Sequence, residues 1–107
     1  MSARVDANKP PTPQGISRLL AKAGFERAEW ERHHRMLVCV RDGYRAVKAS
    51  SSGTAVSVRW SQIAGSARDS GRESVRLSDY ADAIAESGWQ ARRMEREVIV
   101  TAGEDTR

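Results

Sequence analysis

Cysteine is all but missing from this chain of 107 residues: Cys39 stands alone, so no disulfide can close within it. Stability must come from a core, and roughly ninety residues beyond the proline-bearing start are enough to build one. Proline is confined to Pro10, Pro11 and Pro13, so no later helix or strand is broken by it. No apolar run approaches the length of a membrane span, and the N-terminal stretch lacks the apolar segment of a signal peptide. Histidine occurs only as the neighbouring pair His33-His34. Adjacent side chains point different ways on a strand and diverge by about 100° on a helix, so the pair does not ligate one ion.

Charge is present but unevenly spread. The net charge is +4; residues 1–24 carry four basic and one acidic side chain, residues 25–60 seven and four, and residues 61–107 seven and nine. The positive excess therefore sits in the first half. Fifteen of the eighteen basic residues are arginine, which fits a GC-rich coding bias as readily as phosphate contact. Such a balance permits nucleic-acid binding without demanding it.

One pattern occurs twice, 64 positions apart: Ile16 to Phe25 aligns with Tyr80 to Trp89. Each copy is an amphipathic helix, a glycine stop (Gly24, Gly88) and an aromatic residue entering extended chain. A true internal repeat and a chance likeness of two alanine-rich helices both account for it. Thr12-Pro13 predicts the first helix start, as cap and first helical residue, with Ile16, Leu19, Leu20 and Ala23 on its apolar side. Ser78 is expected to cap the second helix, whose apolar side holds Tyr80, Ala81, Ile84 and Ala85. Residues 26–34 are readable as strand or helix.

Met36 to Arg41 and Tyr44 to Ala49 predict two strands joined by a tight turn at Asp42-Gly43. That register puts Met36, Val38, Val47 and Ala49 on one buried face. Ser50 to Thr54 makes a looser turn into Ala55 to Trp60, with Val56, Val58 and Trp60 inward and Ser57 and Arg59 outward. Residues 61–76 read as a long polar loop anchored by Ile63 and Val75. After the second helix, Trp89 to Arg92 and Glu97 to Thr101 supply one or two closing strands. The expectation is an α+β fold: an antiparallel sheet of about four to five strands, a central three-stranded meander, and two helices on one face. Residues 1–13 are expected to be a flexible tail, 14–102 a single domain, and 103–107 a flexible end.

Chemistry is sparsely signalled. Asp42 is assigned to the turn and Asp79 and Asp82 to the helix start, leaving no carboxylates convergent on an ion. Gly65 to Arg72 resembles a phosphate loop in composition only, without the lysine–serine/threonine ending. Cys39, within Met36 to Val40, reads as a buried, inert thiol in a reducing cytoplasm. No catalytic residue, metal site or cofactor is expected. The residues singled out are Trp30, Arg32, Arg35, Arg45, Arg59, Arg68 and Arg72, because tryptophan and arginine dominate binding hot spots.

With Gly24-Phe25, Gly43-Tyr44, Val56 to Trp60, Tyr80-Ala81 and Gly88-Trp89 in view, the chain resembles small α+β proteins of actinobacteria and their phages over roughly residues 15–101. The resemblance implies a compact accessory protein and no established chemistry. The functional expectation is a non-enzymatic cytoplasmic interaction protein with a protein partner or self-association. The alternatives are a nucleic-acid-binding module using Arg45 and Arg59 on a basic sheet face, and a self-assembling structural protein.

Overall fold

The computed structural model describes residues 9–49 and 53–103. In chain order it forms α1 (Pro13–Lys22), β1 (Glu29–His33), β2 (Met36–Arg41), β3 (Gly43–Lys48), β4 (Val56–Ser61), α2 (Ser70–Ser87), β5 (Gln90–Arg93) and β6 (Val98–Thr101). The fold is α+β with two antiparallel sheets. The main sheet has the order β3-β4-β6-β5, and β1 and β2 form a separate two-stranded ribbon. The expected tail lies outside the described residues up to position 8, as do residues 50–52 and 104–107. From Lys9 onward the chain is tied down. The Trp89 indole donates to the Lys9 carbonyl at 3.1 Å, and Pro11 is buried.

Helix α1 starts as its residues dictate: the Thr12 hydroxyl accepts from Gly15 N at 3.0 Å, with Pro13 as the first helical residue. Ile16 and Leu20 are fully buried, each worth roughly 1.5–3 kcal/mol relative to exposure. Gly24 and Gly88, with φ of 96° and 118°, supply the left-handed stops after the two helices. The twinned pattern therefore marks two junctions of similar local geometry. Beyond the two stops the paths diverge: Phe25 leads to a stretch running parallel beside Tyr44, whereas Trp89 leads into β5, antiparallel to β6.

The register places Tyr44, Ala46, Val56, Val58, Trp60, Val98 and Val100 on one face of the main sheet. Both helices cover that face and complete the core with Ile16, Leu20, Leu77, Tyr80 and Ile84. Phe25 and Tyr44 meet the Tyr80 ring edge-on, at 5.1 and 6.1 Å between centroids. The Tyr44 hydroxyl also donates to the Ser17 carbonyl at 2.8 Å, fastening α1 to β3.

Three expectations are corrected. Asp42-Gly43 is no hairpin turn, so there is no three-stranded meander. β2 pairs with β1 through the two-residue turn His34-Arg35, while β3 pairs with β4. Gly43 is needed for space, not for a turn. A Cβ there would lie 2.5 Å from Ala28 N, Arg27 C and Glu26 O, where Tyr44 N donates to Glu26 O and Ala28 N to Tyr44 O, each at 3.0 Å. Consequently the buried face expected for Met36, Val38, Val47 and Ala49 does not form; Met36 and Ala49 are exposed and the valines half-buried.

The second helix begins earlier than Ser78. Asp69 caps it by accepting from Arg72 N, and Ser70–Ser87 is helical, so the loop expected at 61–76 ends before Ser70. Glu73, Leu77, Tyr80 and Ile84 form its buried stripe, while Ile63 and Val75 are exposed. Glu73 is tolerated there because Arg68 and Arg96 lie 3.0 and 3.9 Å from its carboxylate. Asp42 serves elsewhere: it accepts from Ile63 N at 2.6 Å and pairs with Arg72 at 3.4 Å, linking the joint between the sheets to the end of α2.

Gly43→Ala is expected to lose about 3 kcal/mol, the upper end of overpacking, because every clashing atom belongs to the main chain. Gly71→Ala, whose Cβ would meet only Asp69 Oδ1 at 3.5 Å in the first turn of α2, should gain about 0.5–1 kcal/mol. Urea denaturation of the two variants checks both signs. Burial pushes the Tyr80 hydroxyl up to about 12, with Arg76 opposing and Asp79 and Tyr44 adding to the rise. Below pH 10 both folded and unfolded states keep this proton; between pH 10 and 12 only the folded state does, so stability falls as pH rises. The Tyr80 share of that fall is about 3 kcal/mol across the window, and Tyr80→Phe should flatten the alkaline limb of denaturation measured against pH.

Candidate interaction surface

The ribbon of β1 and β2 is an arm. Every residue of β1 is exposed, and neither strand makes extended contact with another element. The arm is held at its base, where Ala64 N donates to Cys39 O at 2.9 Å and Cys39 is buried. Register puts Trp30, Arg32, Leu37 and Cys39 on one face and Glu31, His33, Met36 and Val38 on the other. Met36 and Leu37 are 67% and 59% exposed, an unusual amount of open apolar surface beside a basic tip. His34 and Arg35 form that tip with φ of 48° and 70°, both in the left-handed region. A two-residue hairpin turn with two positive φ angles suits Asn-Gly; bulkier residues hold it under strain.

At the base of the arm a cleft of about 870 Å³ wraps around the outer edge of β3. One wall is α1, with Gln14, Ser17 and Arg18; the other holds Arg27, Trp30 and Arg45; the floor is Ala46, Val47 and Lys48. Four cations line it and no carboxylate does. The Arg45 guanidinium lies over the Trp30 ring, 5.1 Å from its centroid, which keeps both side chains at the cleft.

The basic residues differ in what holds them, and Lys9, Lys22, Arg32, Arg35, Arg76, Arg92 and Arg93, outside the main cleft, have no carboxylate partner among the described residues. Arg41, Arg59, Arg68, Arg72 and Arg96 each pair with a carboxylate of the chain: Glu29 and Glu26, Glu97, Glu73, Asp42, and again Glu73. Arg18, Arg27, Arg45 and Lys48, all at the cleft, have no ion pair among the described residues.

Of the residues singled out from sequence, the fold brings Trp30 and Arg45 together and carries Arg32 and Arg35 out on the arm. Arg59 is on the uncovered sheet face beside Glu97, 3.8 Å away. Arg68 and Arg72 lie apart, around the start of α2, where Arg72 also stacks on Trp60 at 5.3 Å. Arg18 was missed, and Arg27 and Lys48, read only as members of a basic set around the sheet, were not singled out, because three separate segments supply them and no spacing links those segments. Met36 was missed because an expected inward face hid it, and Leu37, which that register left outward, was not singled out. His33 lies 3.3 Å from Glu31, and among the described residues no three of His, Cys, Asp and Glu are grouped to hold a metal. A smaller cleft of about 420 Å³ includes Arg41, Arg72 and Arg76, but Glu26 and Asp42 line it too.

Fold and surface together define a small α+β domain bearing a β-arm over a basic cleft. No protein-family model, curated protein or solved structure matches this chain.

Replacing the tip by His34→Asn with Arg35→Gly should relieve about 1 kcal/mol of backbone strain. Hydrogen exchange is the measurement: amides of β1 and β2 should become about fivefold more protected, with the main sheet unchanged.

Proposed function

We propose that this chain is a non-enzymatic interaction protein that docks a macromolecular partner, a protein before a nucleic acid, through the arm and the cleft at its base. The observation that carries this reading is the convergence at one cleft of Arg18, Arg27, Arg45 and Lys48 with no carboxylate in the lining and no ion pair to any of the four among the described residues. The arm adds open apolar side chains on both of its faces, Leu37 beside Arg32 on one and Met36 on the other, residue types that favour contact with a partner. The strained tip supports the same reading, since backbone strain persists where side-chain identity matters more than ease of turning. No helix among the described residues is long and apolar enough to cross a membrane. A cytoplasmic setting, with Cys39 reduced, and an accessory role of actinobacterial or phage type belong to the same proposal.

The test is capture from a lysate of the source organism, comparing wild type with Trp30→Ala/Met36→Ser/Leu37→Ser. A nuclease-resistant protein partner is expected, with affinity at least about tenfold weaker for the variant. An unchanged circular dichroism spectrum above the arm's own contribution keeps that comparison meaningful. Capture indifferent to the arm residues would overturn the proposal. Partners lost on nuclease treatment would favour the nucleic-acid reading, and an oligomer in light scattering that the variant dissolves would favour self-assembly.

A further inference from the structure

We infer that the outer edge of β3, at Ala46–Lys48, takes up an acidic, extended peptide segment of a partner protein as an added strand. The inference rests on the reading of this chain as an interaction protein and names its partner's chemistry. β3 ends the main sheet, so one side of its main chain faces away from β4. The Tyr44 main chain points to that side, since its N–H and carbonyl bond to Glu26 and Ala28. Alternation along a strand then turns the main-chain groups of Ala46 and Lys48 the same way, while Arg45 and Val47 face β4. Among the described residues those of Ala46 and Lys48 have no hydrogen-bond partner. Unpaired strand edges are templates for a further strand.

The chain already uses this edge in that manner. Its own segment around Arg27 lies parallel to Tyr44 through two main-chain bonds of 3.0 Å and stops there, leaving the next positions vacant. The cleft beside those positions is in the size range of ligand sites. Side chains of an added strand alternate between its two walls. On the α1 side they meet Arg18 and Lys48; on the other they meet Arg45, Arg27 and Trp30. With no carboxylate in the lining, acidic side chains on the incoming strand are favoured on both sides.

Two other occupants fit less well. A single-stranded nucleic acid has no use for an open main-chain edge and stacks on aromatic platforms, whereas the exposed aromatic here is Trp30, already covered by Arg45. A second copy of the chain, paired edge to edge, would set Arg45 and Lys48 against their own kind, and like charges directly opposed across strands repel.

The experiment is selection of random linear peptides displayed on phage against the full chain, followed by anisotropy titration of the enriched peptides. Enriched sequences should be rich in Asp and Glu, bind at least about tenfold more weakly to Arg18→Glu/Lys48→Glu, and weaken with salt. Ala46→Pro, which removes an edge donor, should weaken them similarly, and in wild type the Ala46 and Lys48 amides should gain exchange protection on binding. Should the proline variant fail to fold, the charge variant and the exchange measurement still decide. Enrichment without acidic bias, or binding that ignores both the charge variant and these two amides, would overturn the inference. A thymidine oligonucleotide run in parallel separates the two failures. If it binds through Arg18 and Lys48 while no acidic peptide does, the peptide falls and a docking cleft survives; if neither binds and the arm variant captures normally, both readings fall.

Discussion

The two hydrogen bonds that tie Tyr44 to Glu26 and Ala28 set the plan of the molecule. They hold the chain leaving α1 against the start of β3, parallel to it, and at that crossing the backbones approach so closely that position 43 has no room for a side chain. Having taken up the first place on the edge, the chain cannot continue along β3 without displacing Trp30 and Arg45 from their stack. It turns outward instead and becomes β1. The residues just before Gly43 have lost their place in the main sheet to the same crossing and pair with β1 as β2. The extended run from Met36 to Lys48 therefore belongs to two sheets in succession, interrupted only at Asp42. Arm, cleft and open edge are three results of one close approach.

This crossing is also where reading from sequence alone loses its grip. Glycine after aspartate is the strongest short signal for a tight hairpin turn, but it reports only that a side chain is unwelcome, either because φ is positive or because another backbone is near. At Gly43 the second cause operates, and a contact between residues some sixteen positions apart leaves no local trace. The actual turn, His34-Arg35, carries none of the usual turn chemistry, so the signal and the structure point to different places. The start of α2 is hidden for a related reason. Ser70 and Gly71 look like loop, and the buried stripe opens with Glu73, an acid whose place in the interior depends on Arg68 and Arg96 reaching it. Where local chemistry and fold agree, sequence and structure coincide: the Thr12-Pro13 start, the stops at Gly24 and Gly88, and the inward Val56, Val58 and Trp60. The uncovered face beside them is legible only in part, since Ser57, expected outward, is buried under the Glu97 carboxylate that it bonds at 2.6 Å.

The ion pairs matter more for where they place charge than for stability. Exposed pairs such as Arg41 with Glu29 contribute at most about 1 kcal/mol. Their effect is to take five arginines out of the free positive surface. Arg45 and Arg59 show how this shapes the cleft. They stand directly opposite each other across β3 and β4, an unfavourable cross-strand pair. Arg59 turns to Glu97 and Arg45 to the Trp30 ring, which separates the two charges and brings one of them to the cleft wall. The Arg45 and Arg59 that sequence offers as one basic sheet face are thus divided into a neutralised Arg59 at the centre and a charged Arg45 at the rim.

That rim bears on a general problem of β structure. An unpaired edge invites edge-to-edge association, and proteins blunt it with lysine, bulges or a covering element. Here the covering element stops at Tyr44, and Lys48 with Arg45 guards what remains. Were guarding the whole purpose, Lys48 alone would suffice, and neither Arg18 from α1 nor Arg27 from the covering segment would need to face the same space. Convergence of cations from three separate segments gives the edge a selectivity that one lysine cannot supply. The charge that turns away an identical basic edge attracts an acidic strand, and the main-chain groups of Ala46 and Lys48 give that strand something to pair with. Protection against self-association and recognition of an acidic partner then arise from one arrangement of charge around a short length of open backbone.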